Sequence, residues 1–119
     1  MIYFGYMRIV RKSISITELE KMAEQLFGNL IKVVIDVDKE IIAVGGELHA
    51  DEEALLLKNN SRQENLWGIN IYPKIKNKGW IEFDSMINLR PSLNNLSRGI
   101  ENPKLREKII KIVNKLVKK

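Results

Sequence analysis

The amino-acid sequence predicts an α+β domain in which two β-hairpins and a short N-terminal strand form an antiparallel or mixed sheet, with three helices largely on one face. Side chains alternate with a period of two over residues 30–37 and 80–89, two turns each join a pair of short segments, and residues 17–27 and 103–117 have apolar residues at helical spacing. The long apolar runs and crossover helices of parallel βαβ units are missing. We assign residues 7–119 to this single domain and interpret residues 1–6, before Met7, as an upstream start or a frayed extension.

The first elements are a short strand and an amphipathic helix. Residues 8–12 form the strand, and the helix covers about 17–27. Thr17 is the expected N-cap, and Glu20 completes a capping box with it. Gly28 then ends the helix.

A hairpin and a short helix follow. Side chains alternate between apolar and polar over residues 30–37, a polar turn covers 38–40, and residues 41–44 return as the second arm. The helix is expected over 51–58, with Asp51 as its N-cap.

The C-terminal half contains the second hairpin and the last helix. Strands are expected over residues 66–72 and 80–89. After a loop rich in Asn, Ser and Gly, Asn102 is the expected cap and Pro103 the first residue of a helix over 103–117.

Composition excludes several kinds of chemistry. The chain has no cysteine and a single histidine, His49, which excludes disulfide frameworks, zinc ribbons, iron–sulfur clusters, thiol nucleophiles and mechanisms that need two histidines within one chain. No apolar run approaches the roughly 18 residues of a membrane span, and the N-terminus has no signal-peptide pattern. We therefore expect a cytoplasmic protein with no membrane association and no cofactor.

The net charge of +5 is concentrated at the C-terminus. Residues 1–102 carry 13 basic and 14 acidic side chains, whereas residues 103–119 carry seven basic and one acidic. On a helical wheel the lysines form one stripe about 100° wide. This lysine ridge consists of Lys104, Lys108, Lys111, Lys115 and Lys118, with Lys119 beside them. Such a ridge either contacts nucleic-acid phosphates without reading sequence, or solvates the outer face of the helix.

The segment around the single histidine is the most informative for catalysis. If the chain stays extended after Val44, Glu47, His49 and Asp51 share one face. Two carboxylates around an imidazole suit general acid/base chemistry or, more weakly, a metal ion. The alternative is structural, with His49 fixing the turn and Asp51 capping the helix.

Other polar residues are unusual for strand and loop positions. They are Ser61, Gln63, Asn70, Asn88 and Arg90. Their simplest role is to hydrogen-bond neighbouring loops, because an unpaired buried polar group costs about 1–3 kcal/mol. The functional alternative is a polar pocket in which Arg90 binds a carboxylate or phosphate through two parallel hydrogen bonds.

Three strings carry a family resemblance. They are Gly45-Gly46-Glu47-Leu48-His49-Ala50-Asp51, Leu66-Trp67-Gly68-Ile69-Asn70 and Ile81-Glu82-Phe83-Asp84-Ser85-Met86-Ile87-Asn88. With them, the chain resembles a family of small uncharacterised prokaryotic proteins, a domain of unknown function, from about Met7 to Val117. The resemblance implies a domain that stands alone in bacteria and archaea, and it brings no catalytic residues.

Three functional hypotheses follow. The first is a non-catalytic domain that binds a polar ligand or a protein partner. The alternative is a small hydrolase or metal-dependent enzyme centred on His49, and the third is non-specific nucleic-acid association through the lysine ridge. A homodimer is compatible with each of them.

Overall fold

The computed structural model describes residues 7–119, which contain three α-helices and seven strands, so the α+β class is confirmed. The interpretation of residues 1–6 lies outside the described residues. The elements are β1 (Arg8–Val10), β2 (Ile14–Ser15), α1 (Ile16–Leu26), β3 (Ile31–Asp36), β4 (Ile41–Val44), α2 (His49–Lys58), β5 (Leu66–Ile71), β6 (Ile81–Glu82), α3 (Pro103–Leu116) and β7 (Val117–Lys118).

Five strands form an antiparallel sheet in the order β1–β4–β3–β5–β6. The first predicted hairpin is β3 and β4, in which Val33 lies opposite Val44. On its other side β3 pairs with β5 along its whole length, and Lys32 lies opposite Asn70. β2 and β7 form a separate parallel pair, which brings the C-terminus of the chain beside the start of α1.

Side-chain alternation on β3 divides the core between the two faces of the sheet. Val33 belongs to the larger apolar cluster, together with Leu19 of α1 and Ile109 of α3. Its neighbour Val34 belongs to a smaller cluster that contains Leu56 of α2. α1 and α3 therefore share one face, while α2 covers the other, which differs from the predicted placement of the three helices largely on one face.

The start of α1 differs from the sequence prediction. Ser15 rather than Thr17 is the N-cap, and its Oγ accepts a hydrogen bond from the backbone N–H of Glu18 at 3.1 Å. The predicted capping box between Thr17 and Glu20 is wrong because Ser15, two residues before Thr17, already provides the cap acceptor.

The start of α3 is confirmed, and its end is one residue earlier than predicted. Asn102 Oδ1 accepts from the N–H of Lys104 at 2.9 Å, and Pro103 is the first helical residue. Val117 and Lys118 leave the helix to pair with β2. Within residues 7–119, no helix combines the length and the apolar composition needed to cross a membrane.

The return arm of the second hairpin is much shorter than the predicted 80–89. β6 ends at Glu82. Ser85 Oγ then accepts from the N–H of Ile87 at 3.2 Å and begins a single 3₁₀ turn, Met86–Asn88. A hydroxyl that bonds the backbone two residues ahead competes with strand pairing, so the chain leaves the sheet here.

Side chains replace the missing strand along β5. Asn88 Oδ1 accepts from the N–H of Gly68 at 2.8 Å, and Asn88 Nδ2 donates to the Gly68 carbonyl at 2.9 Å. Two residues further, Arg90 Nη1 donates to the carbonyl of Leu66 at 2.6 Å. These contacts satisfy buried backbone groups of β5 that no strand reaches.

We predict that Asn88→Ala lowers the free energy of unfolding by about 3 kcal/mol, because it leaves both backbone groups of Gly68 unpaired in the interior. Urea unfolding followed by tryptophan fluorescence measures this loss. Asn114→Ala is the control, since Asn114 is exposed on α3, and it is expected to change stability by less than about 0.5 kcal/mol. A loss below about 1 kcal/mol in Asn88→Ala would contradict the replacement of a strand by this side chain.

Candidate functional site

A cleft of about 470 Å³ lies at the N-terminal end of α2, and we call it the Lys32 cleft. Its lining combines apolar, basic and acidic side chains with one glycine. The lining residues are Met7, Phe27, Lys32, Gly46, Glu47, Leu48 and Asp51. They come from the end of α1, from β3 and from the segment that joins β4 to α2.

This joining segment is folded differently from the sequence prediction. α2 begins at His49, two residues before the expected start, and its N-cap is Leu48, which makes no side-chain cap bond. Asp51 therefore lies inside the helix, where its N–H donates to the Leu48 carbonyl at 3.1 Å. The extended arrangement of Glu47, His49 and Asp51 on one strand face is wrong, because the helix has already begun between them.

The three charged groups of the Lys32 cleft are not paired with one another. The Lys32 ammonium lies 5.1 Å from the ring centroid of Phe27. In the part of the chain that the structure describes, none of Lys32, Glu47 and Asp51 forms an ion pair within 4.0 Å. Lys32 is half-buried, whereas Glu47 and Asp51 are exposed. The lining thus offers both charge signs to a bound molecule.

A buried acid lies behind the floor of the cleft. Glu52 is fully buried, and its Oε2 accepts from the N–H of Gly46 at 2.9 Å. Its other oxygen, Oε1, has no hydrogen-bond partner among residues 7–119. Burial raises the pKa of Glu52 well above its usual value, although the Gly46 N–H and the charge of Lys32 favour the ionised form.

Gly46 permits this contact because it has no side chain. A Cβ at this position would lie 2.8 Å from Glu52 Cγ and 3.1 Å from Met7 Sδ. The floor of the cleft is therefore a close approach between backbone and buried acid, which explains the glycine without a phosphate-binding loop.

His49 faces the sheet and not the cleft. It is buried, and its Nε2 lies 2.7 Å from the carbonyl oxygen of Ile69. Because a carbonyl only accepts, Nε2 carries the proton. Burial lowers the pKa of His49, against the opposing effect of the hydrogen bond to Ile69. The imidazole is therefore a neutral link between α2 and β5.

The other polar candidates from the sequence occupy structural positions. Ser61 Oγ donates to Asp36 Oδ2 at 2.6 Å and fixes the loop after α2 against the first hairpin. Asn70 Nδ2 donates to Glu82 Oε1 at 2.9 Å, while its Oδ1 is buried without a partner. The side-chain amide of Asn88 bonds the backbone N–H and carbonyl of Gly68.

Arg90 is held by α2. Its Nη2 donates to Glu53 Oε2 at 2.9 Å in a largely buried ion pair, and its guanidinium lies 5.1 Å from the ring centroid of Trp67. Burial lowers the pKa of Arg90, and the charge of Glu53 acts in the opposite direction. Gln63 and Arg90 do line one depression, of about 310 Å³, away from the Lys32 cleft.

The lysine ridge is exposed but shorter on the helix than predicted. Lys104, Lys108, Lys111 and Lys115 lie on α3, whereas Lys118 lies on β7 and no longer follows the helical wheel. One of them is already engaged, because Lys115 Nζ donates to Glu40 Oε1 at 3.1 Å.

Sequence reasoning missed five members of the cleft region: Met7, Phe27, Lys32, Leu48 and Glu52. Lys32 has the pattern of an ordinary solvent-facing strand residue, and Glu52 is one of three consecutive acids, Asp51 to Glu53. The one usable signal is the pair Gly45-Gly46, which indicates a close backbone approach. Over residues 7–119, no group of three or more His, Asp or Glu side chains is placed to hold a metal ion.

We predict that Glu52→Gln stabilises the protein increasingly as pH rises above 4.5, the ordinary pKa of a glutamate. A raised folded-state pKa means that the unfolded chain loses this proton first, so wild-type stability falls with pH until Glu52 ionises in the folded state. Urea unfolding between pH 4 and 8 measures the difference in the free energy of unfolding between the two proteins. His49 contributes a pH dependence of the opposite sign, but it is present in both proteins and cancels in the difference.

Glu47→Gln is the matched control, because it removes the same charge at an exposed position, and we expect a change within about 0.5 kcal/mol at every pH. A wild-type minus Glu52→Gln difference that does not vary with pH would contradict the buried, proton-linked acid.

Comparison with known proteins assigns the chain to a family. The family model described as "Protein of unknown function (DUF5674)" matches residues 8–116. No curated protein and no solved structure matches the chain. The matched segment extends from β1 to the end of α3 and includes every lining residue of the Lys32 cleft except Met7. The chain therefore belongs to the DUF5674 family.

Proposed function

We propose that this protein is a non-catalytic binding domain that holds a small polar ligand in the Lys32 cleft. The observation that carries the proposal is the set of unpaired charges of both signs in one cleft that also has apolar walls. Its volume of about 470 Å³ falls in the range of sites for small organic ligands.

Size alone does not single out this cleft. A depression of about 490 Å³ beside Trp80 is as large, but its charged lining residues, Lys76 and Lys78, have one sign. The Lys32 cleft differs because it offers an ammonium, two carboxylates and the exposed side chains of Phe27 and Leu48 together. Convergent polar groups against an apolar wall are typical of ligand sites.

The position of His49 favours binding over catalysis. General acid/base work requires the imidazole to reach the reacting group within about 3 Å. His49 is not among the lining residues of the cleft, and its protonated nitrogen is used by Ile69. Its lowered pKa fits a buried neutral link.

We predict that Leu48→Trp blocks the cleft and abolishes ligand binding. Leu48 is 55% exposed and lines the cleft, so a larger side chain fills the cleft without disturbing the core. The measurement is the shift of backbone amide signals in nuclear magnetic resonance spectra as probes are added one at a time: an unblocked dipeptide, a monosaccharide, adenosine monophosphate and putrescine.

At least one probe is expected to move the amide signals of residues 46–51 in the wild type and in Leu96→Trp, but not in Leu48→Trp. Leu96→Trp is the matched control because Leu96 is 69% exposed and lies outside the cleft. If every probe leaves these signals unmoved, or if Leu48→Trp keeps the shifts, the proposed binding site is wrong.

A further inference from the structure

We infer that the ligand of the Lys32 cleft is a small zwitterion with an apolar side chain, of the kind that a short peptide with free ends presents. The inference rests on the proposed binding function and names the ligand class for that site. It follows from which groups of the cleft are free, which are already bonded, and where the apolar surface lies.

The positive group of the cleft suits a carboxylate. Among the lining residues that the structure describes, Lys32 alone is basic. The N–H of Gly46 is not available to an anion, because it already donates to Glu52 Oε2 at 2.9 Å. Phosphate groups are usually bound by several donors at once, whereas one ammonium is sufficient for a carboxylate.

The negative groups of the cleft suit an ammonium. Glu47 and Asp51 give the lining two carboxylates against one cation, in a chain whose overall charge is +5. These carboxylates repel a ligand with several negative charges and attract one with a free amine. A diamine without a carboxylate is disfavoured, because the ammonium of Lys32 in the same cleft repels a ligand with only positive charges.

The apolar part of the lining selects a ligand with a hydrocarbon group. Phe27 is 41% exposed and Leu48 is 55% exposed, and both border the cleft. Removing this surface from water stabilises a complex in proportion to the apolar area covered. An ammonium, a carboxylate and an apolar side chain are the three groups of a short hydrophobic peptide.

The test titrates three forms of one dipeptide, Leu-Ala, into the full chain: the unblocked form, the N-acetylated form and the C-terminal amide. Isothermal titration calorimetry gives the affinities, and amide signals of residues 46–51 report the site. We expect each blocked form to bind at least about fivefold more weakly, which corresponds to the loss of one charge-assisted contact.

Variants then assign each end of the peptide. In Lys32→Met the unblocked form and the amide should bind equally, while the preference for a free amine is kept. In the double variant Glu47→Gln/Asp51→Asn the preference for a free amine should disappear instead. Lys58→Met, which removes an exposed lysine at the far end of α2, should keep both preferences.

Equal binding of the three forms would overturn the zwitterion inference. Tighter binding of adenosine monophosphate or putrescine than of the unblocked dipeptide would also overturn it. If Leu48→Trp abolishes that binding, the proposed binding site still stands. If none of these probes moves the signals of residues 46–51, both the ligand class and the site are wrong.

Discussion

The hydrogen bonds between the Asn88 side chain and the backbone of Gly68 are the interaction on which the candidate site depends. They fasten an irregular loop to β5, the strand that pairs with the central strand β3. Gly68 itself must lack a side chain, because a Cβ there would lie 2.6 Å from Ser85 Cβ and 3.2 Å from His49 Cδ2. The loop then places Arg90 against Glu53. One backbone position therefore fixes both the loop and the helix that borders the cleft.

Polar contacts hold α2 to the sheet to an unusual degree. The apolar cluster beneath it is small, and three polar links supplement it: His49 to Ile69, Glu52 to Gly46, and Glu53 to Arg90. Burial shifts the pKa of two of these groups, raising that of Glu52 and lowering that of His49, so the stability of this face depends on pH. The Lys32 cleft lies at the end of this face where Glu52 bonds Gly46.

The residues that look most functional in the sequence are mainly structural. Asn88 and Arg90 follow the point where the return strand ends, and their side chains replace its backbone as partners of β5, whereas Ser61 bonds the carboxylate of Asp36. The lining of the cleft, in contrast, uses common residue types such as Lys32 and Leu48. Which surface side chains remain unpaired depends on their neighbours in the folded structure, and a single sequence does not show those neighbours.

The sequence by itself determined the class of the fold, the first hairpin, the cap and start of α3, and the exclusion of thiol and two-histidine chemistry. These features depend on periodicity, on local capping and on composition, all of which act over a few residues. Only the tertiary structure decided that the chain leaves the sheet after Glu82, that His49 bonds β5, and that Gly46 lies against Glu52 in a cleft that Lys32 also lines. These outcomes depend on contacts between residues far apart in the chain, such as Gly68 with Asn88, and local pattern does not contain them.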